Sequence, residues 1–428
     1  MVCYLVAPST LKGKINIPPS KSHTLRAILF GALGCGKTII QHPLESPDAR
    51  AMINACHLLG ATIHEVDEKI VIDGINGNIE HAEDVINAGN SGLVLRMITA
   101  IASLCSLPIV VTGDYSIRHQ RPMGELIKGL EQLGVSVIST KNDGYAPIIV
   151  KGPLCQGKTV ISGEDSQPVS SLLIASIFSP GPVEIEVLNP GEKPWVSLTL
   201  DWFKRLGINC QHDNFHSYRI AGRGTYKGFE YSVPGDWSSA AFPIAAALIT
   251  NSEVTIANVD FEDCQGDKAI LEIFQEMGAH FDIDQKNKQL HVRAGNELRG
   301  IDVDINDCVD AITILAAVGC FAKGRMRIFN ASIAKHKECD RIRCISQELR
   351  KMGGDLLEHD DGLTIRQSSL KGSNVMSYHD HRMAMALAVA ALGAQGTTQI
   401  DNVECVAKTF PSFVKDFAGI GAQLREWK

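Results

Sequence analysis

Seven cations stand at or beside the starts of apolar stretches in this 428-residue chain: Lys21, Arg26, Arg121, Lys337, Arg341, Arg382 and Lys408. Among them are Asp310, Glu338 and the run Asp380–His381–Arg382. Arginine forks grip carboxylates and phosphates at two points, whereas lysine is a mobile point charge. One or two carboxylates inside such a cage are suited to move protons beside an anionic substrate. Each residue alone has a plainer reading. A cation near a helix start is usually solvated, Asp310 would cap a helix, Glu338 would pair with Arg341 three residues on, and His381 would be a structural donor. Lys337 and Arg341, four apart in KECDR, are expected on one helical face.

A common register tips the balance, and the register comes from a repeat. An apolar residue, a glycine and a β-favouring tail recur as LGATI, LGVSV, LGINC, MGAHF, MGGDL and IGAQL, at Gly60, Gly134, Gly207, Gly278, Gly353 and Gly421. The spacing is roughly 70 residues throughout, the signature of a repeated supersecondary unit. Most tags follow an amphipathic pattern, so each glycine is expected just past a helix end. A second series runs in step, with small or polar residues opening very apolar helices near Ser22, Ser91, Ser166, Ser238, Asp310 and His381. A helix apolar nearly all round is buried. The sequence therefore predicts six units, each with one buried helix, one half-exposed helix and flanking strands.

Pro19 and Pro234 precede the first and fourth buried helices. They predict a domain over 21–232 with three repeats, and a second over 1–20 plus 233–428 with three more. The two would be joined by a two-strand hinge near 20 and 233, with a ligand cleft between lobes. If the six buried helices aim their N-termini at one place, their dipoles attract dianions there.

The net charge of −7 gives no basic field for nucleic acid. No signal-peptide order or long apolar run calls for a membrane. The twelve cysteines are scattered without C-x-x-C pairs and predict reduced thiols in a cytoplasmic protein. The octet GALGCGKT, 31–38, fits the P-loop pattern. A working P-loop follows a strand and opens a helix, but this stretch follows a helix and precedes β-favouring TII, so it is read as a helix stop.

Nine segments in order then carry a resemblance: PPSKSHTLR, AGNSG, RHQRPMGEL, VPGDWSSAAF, QGD, DAITILAA, KECDRI, HDHRMAMALA and AKTFPSF. The chain resembles the EPSP synthase family of enolpyruvyl transferases over nearly its whole length. The resemblance implies the two-domain inside-out α/β barrel, with six βαβαββ repeats, three per domain. It implies transfer of the enolpyruvyl group of phosphoenolpyruvate (PEP) to the 5-hydroxyl of shikimate 3-phosphate. Phosphate would be released through a tetrahedral ketal by a monomer needing no metal or organic cofactor.

Carried over by position, Glu338 resembles the proton donor and acceptor at the methylene, and Asp310 the residue that engages the attacking hydroxyl. Lys21 resembles the cation that touches both substrates. Arg341 and Arg382 are similar to the clamp on the PEP carboxylate. Arg121, Lys408, Gly92 and Gln167 would hold its phosphate, with Asn90 and His381 lining the site. Ser22, Arg26, Ser166, Gln167 and Lys337 match the residues that bind the acceptor phosphate.

Four positions depart from the family pattern. Asp165 and Glu192 stand where serines are usual, Leu93 replaces a threonine, and Ile333 stands where an asparagine can occur. A carboxylate about 4 Å from a phosphate costs on the order of 4 kcal/mol at an effective dielectric near 20. Asp165 and Glu192 are therefore expected to turn away, to pair with a cation such as Lys193, or to mark another acceptor. The sister transferase acting on a UDP-amino sugar places a reactive cysteine on a mobile loop. The matching stretch here, TGDYSIRHQRPM, has none.

Overall fold

Six helices that are apolar on nearly every face form the frame: α1 (Lys21–Leu33), α2 (Gly92–Ala102), α3 (Ser166–Ser176), α4 (Trp237–Ile249), α5 (Ile312–Gly319) and α6 (His381–Gly393). This is a computed structural model that describes residues 2–427; Met1 and Lys428, the outer ends of the expected second domain, lie outside them. Five of the helices start on a side-chain cap. Ser20, Ser91, Asp165, Asp236 and Asp380 each accept from an amide two or three residues on, which satisfies orphan donors of the first turn. The caps thus lie one or two residues before several of the expected markers. α5 differs, because a 3-10 turn over Asn306–Ala311 leads into it without a side-chain cap.

Each buried helix is followed by a half-exposed one, over Pro47–Leu58, Gly124–Gln132, Lys193–Leu206, Ile270–Glu276, Arg341–Lys351 and Phe413–Gly419. All six tag glycines have positive φ, from +71° at Gly207 to +105° at Gly60. A Cβ would be strained there, so glycine is the residue that lets the chain turn from helix to strand. The strands form six four-stranded sheets. In each sheet one edge pair is parallel and the other two pairings are antiparallel. Among the described residues no sheet closes on itself, so the architecture is three separate sheets around buried helices, twice over.

One compact unit runs from Pro19 to Val233; the other combines the chain up to Pro18 with the chain from Pro234 on. The N-terminal strands belong to the second unit. Cys3–Ala7 pairs with Thr398–Asp401 and Gln423–Trp427, and Lys12–Asn16 with Glu253–Ala257. Each unit has its own apolar core. Leu25, Ile98 and Leu173 stand for the first, Phe242, Leu315 and Leu387 for the second.

The P-loop look-alike is a helix stop. α1 ends at Leu33, Gly34 is its C-cap, and Cys35–Gln41 is a strand. The KECDR stretch corrects one expectation. The helix begins only at Arg341, with Asp340 as its cap, and Lys337 lies before it, just past the 3-10 turn Ser332–His336. Lys337 and Arg341 therefore do not share a helical face. Among the described residues no helix is long and apolar enough to cross a membrane.

Candidate active site

The expected site residues divide between the two units. In the unit Pro19–Val233, the first turn of α1 carries Lys21 and Ser22, and Lys21 Nζ lies 3.7 Å from the buried carboxylate of Asp48. One turn on, buried Arg26 is fixed by the helix Lys193–Leu206. Its Nε and Nη2 donate to Thr199 Oγ1 at 3.2 and 3.1 Å, and Nη2 to the Trp195 carbonyl at 3.3 Å. Thr199, in the second turn of that helix, is a positioning residue for Arg26 that the sequence did not single out.

The starts of α2 and α3 meet around an arginine that sequence reasoning also missed. Arg96 is 2% exposed. Its Nη1 donates to Gln167 Oε1 at 2.7 Å, and its Nη2 to the Pro122 carbonyl at 3.0 Å. The Asp165 carboxylate is 3.1 Å from the same Nη2. Burial and nearby Arg121 press against the charge on Arg96, while Asp165 and Glu192 support it. A Cβ added at Gly92 would stand 3.1 Å from Arg96 Nη1, 3.6 Å from Gln167 Oε1 and 3.8 Å from Arg121 Cδ. Three groups expected at the donor phosphate, Gly92, Gln167 and Arg121, therefore converge on one spot. Asn90 is held nearby by Asp114 and Ser116, at 2.6 and 2.9 Å.

The two acidic departures have different solutions. Asp165 caps α3, accepting from the Gln167 amide at 2.9 Å, and its cation is Arg96 rather than Lys193. Glu192 is buried in left-handed backbone at φ 44°, and its Oε2 accepts from both the amide and the hydroxyl of Ser166 at 3.1 and 3.0 Å. It takes the donors that the resemblance gives to the acceptor phosphate. Leu93 packs into the core of this unit, and Ile333 packs against the core of the other.

In the second unit, three carboxylates converge on one guanidinium. Arg341, 1% exposed at the start of its helix, donates from Nη1 to Asp310 Oδ1 at 2.6 Å, from Nη2 to Glu338 Oε2 at 2.8 Å and from Nε to Asp380 Oδ2 at 2.7 Å. Lys408 Nζ holds the other Glu338 oxygen at 2.6 Å. Arg382 Nη2 holds the other Asp310 oxygen at 2.9 Å. His381 Nδ1 lies 3.7 Å from Asp380 and 3.9 Å from Glu338. Asp310 sits in the turn before α5 and is not its cap.

Burial would raise the Asp310 carboxyl, but Arg382, Arg341 and Lys337 outweigh it and hold the group well below the usual carboxylate range. Burial also works against charge on Arg341, and Asp380, Glu338 and Asp310 more than offset it. Both therefore stay ionised. Ligand atoms of Glu338, Asp380 and His381 come within 4.8 Å of one another. Arg341 and Lys408 already neutralise those carboxylates, and two protein cations oppose a third from a metal. Asp380, cap of α6 and partner of Arg341, is the residue here whose part was not assigned from sequence.

Chemically, this half offers two carboxylates joined through one arginine, each with a second cation on its free oxygen. A substrate carboxylate or phosphate entering here meets three cations, and each one it engages loosens its hold on Asp310 or Glu338. The other half offers α-helix N-termini, Lys21, Arg26, Arg96 and Arg121.

The family model for EPSP synthase (3-phosphoshikimate 1-carboxyvinyltransferase) matches residues 5–417. The chain is 43% identical over 422 residues to the 3-phosphoshikimate 1-carboxyvinyltransferase of Acetivibrio thermocellus, covering 98% of each. It is 39% identical to that of Chlamydia caviae, covering 100% of this chain and 95% of the other. A solved EPSP synthase structure from Acinetobacter baumannii superposes with a TM-score of 0.83 at 25% identity, over the full length of both chains. The chain belongs to the EPSP synthase (3-phosphoshikimate 1-carboxyvinyltransferase) family.

Proposed function

We propose that the protein transfers the enolpyruvyl group of PEP to the 5-hydroxyl of shikimate 3-phosphate and releases inorganic phosphate, as a cytoplasmic monomer in aromatic amino-acid biosynthesis. The observation that carries the reading is the pairing of Asp310 and Glu338 through Arg341, with Arg382 and Lys408 on their remaining oxygens.

In the addition step, the entering substrate draws Arg341 and Lys408 off Glu338, which takes up a proton from solvent and gives it to the methylene carbon of PEP. The acceptor hydroxyl oxygen forms a bond to the adjacent carbon, and its proton passes to Asp310. The result is a tetrahedral ketal. In the elimination step, Glu338 removes a proton from the new methyl group, the carbon–oxygen bond to phosphate breaks, and the phosphate leaves with the proton held by Asp310. The ionised state of Asp310 fits its role as acceptor.

Arg341 and Arg382 are assigned to the PEP carboxylate. Arg121, Lys408, Gly92 and Gln167 are assigned to its phosphate, where Lys21 also stabilises the developing charge. Asn90 and His381 line the site. Ser22, Arg26, Ser166, Gln167 and Lys337 take the acceptor phosphate, which must displace Glu192 from Ser166. These residues come from both units, so turnover needs both.

Incubation with PEP and shikimate 3-phosphate should release phosphate, and neither alone should. Turnover with a different alcohol but none with shikimate 3-phosphate would remove the acceptor assignment.

A further inference from the structure

The unit that carries Asp310 and Glu338 also holds a carboxyl that the proposed chemistry does not use. Asp267 lies in the 3-10 turn Gly266–Ala269 and is 2% exposed. It faces a crevice of about 190 Å³ that it shares with Asp310, Arg382, Ser238, Ile270 and Ile314, and that is too tight for a water molecule. Among the described residues neither of its oxygens has a hydrogen-bond partner. Ser238, which lines the same crevice, donates to Asp236 at 2.6 Å.

Across the same crevice Arg382 is only half used. Its Nη2 serves Asp310 at 2.9 Å and Ser238 at 3.0 Å. Its Nε is buried and makes no hydrogen bond. A buried acceptor and a buried donor thus face one space without meeting. An ionised carboxylate left dry and unpaired is costly, and the usual escape is to stay protonated.

The charged and titratable groups facing Asp267 agree with that. Arg382 comes from α6, Asp310 and Cys308 from the turn before α5, and Asp236 from the cap of α4. Burial pushes the Asp267 carboxyl up, Arg382 pulls it down, Asp310 and Asp236 push it up again, and the nearby Ser238 hydroxyl pulls it down least, which leaves it at about 7.

We propose that Asp267 is a positioning residue for the donor substrate: uncharged, it leaves the Arg382 guanidinium to Asp310 and to the PEP carboxylate; ionised, it takes the idle Nε–H and draws Arg382 back into the crevice. The idea rests on the assignment of Arg382 to the donor carboxylate made above. It gives the free protein a basic limb, because only the uncharged form presents Arg382 correctly. Below pH 7 the carboxyl carries its proton and donor binding is at full strength. Above pH 7 each unit of pH removes a further factor of about ten from the competent fraction. Saturating donor pulls the protein back to the competent form, so KM moves and kcat does not.

The test compares the full-length protein with Asp267→Asn, a neutral side chain of the same shape, in steady state from pH 6 to 8.5. The KM for PEP of the unsubstituted protein, divided by that of Asp267→Asn, should rise about tenfold between pH 6 and pH 8. Ionisation of PEP itself is common to both and cancels in their ratio. Parallel KM profiles, or a pH dependence carried by kcat, would overturn the proposal.

Infrared titration of the same two proteins reads the carboxyl directly, without turnover and even if shikimate 3-phosphate is not the acceptor. A protonated-carboxyl carbonyl band should fade near pH 7 in the unsubstituted protein and be missing from Asp267→Asn. Its absence from both would overturn the proposal, whereas loss of turnover alone would count against the acceptor assignment.

Discussion

Replacing Arg341 by methionine removes the centre of the second unit's charge network, and the cost can be worked from its contacts. The guanidinium serves Asp310, Glu338 and Asp380 at 2.6, 2.8 and 2.7 Å. After removal, Arg382 still holds Asp310 and Lys408 still holds Glu338. Asp380 fares worst, keeping the Arg382 amide, the Cys339 thiol and His381 at 3.7 Å. Breaking a buried pair by deleting one partner costs roughly 3–5 kcal/mol. With two carboxylates still paired, the lower end, about 3 kcal/mol, is expected. For a unit of this size that is a fall of roughly 6–12 °C in its melting temperature.

The loss should depend on pH. Asp310 is held below its ordinary range, so its ionised form stabilises the fold above the unfolded value of about 4. That contribution fades as pH falls through the folded value. Arg341→Met weakens it, so the gap between the two proteins should be full at pH 7 and narrow toward pH 3. Differential scanning calorimetry at several pH values measures this. Equal melting at pH 7, or a gap that widens with acid, would refute the reasoning.

Glu338→Gln and Asp310→Asn should each lower kcat by roughly 10²–10⁴ while changing PEP affinity far less; stopped-flow phosphate release and equilibrium binding separate the two effects. Gly92→Ala puts a methyl 3.1 Å from Arg96 Nη1 and beside Gln167 and Arg121, so the KM for PEP should rise severalfold in steady-state assays with the fold unchanged by circular dichroism. Glu192→Ser removes the carboxylate that occupies Ser166; acceptor affinity by calorimetry should tighten by about tenfold or more, since even a fraction of the roughly 4 kcal/mol repulsion is large.

The repeat was legible because its parts are local. A glycine past an amphipathic helix and a polar residue before an apolar one are decided within a few residues, and all six glycines and all six buried helices stand where the pattern put them. The P-loop match failed on the same local grounds. Features decided by partners far along the chain were not legible. The turn over 306–311 exists where Asp310 meets Arg341 and Arg382, and no property of its own sequence announces it. Lys337 falls outside the helix because Asp340 caps it three residues later.

Arg96 did carry a signal. It is a charge inside LVLRMITAIA, in a helix otherwise apolar enough to be buried, and such a charge needs partners. The solution for Glu192 could not be read, because its left-handed backbone and its two bonds to Ser166 link residues 26 apart.

The central claim is addition of an alcohol to protonated PEP followed by loss of phosphate. It is tested most directly by nuclear magnetic resonance of ¹³C-labelled PEP turned over with shikimate 3-phosphate in deuterated water. The account predicts an enol ether joined at the 5-oxygen, one phosphate per enol ether, and deuterium in the methylene of product and recovered PEP. Phosphate released with pyruvate in place of the enol ether, or an enol ether free of deuterium, would contradict it.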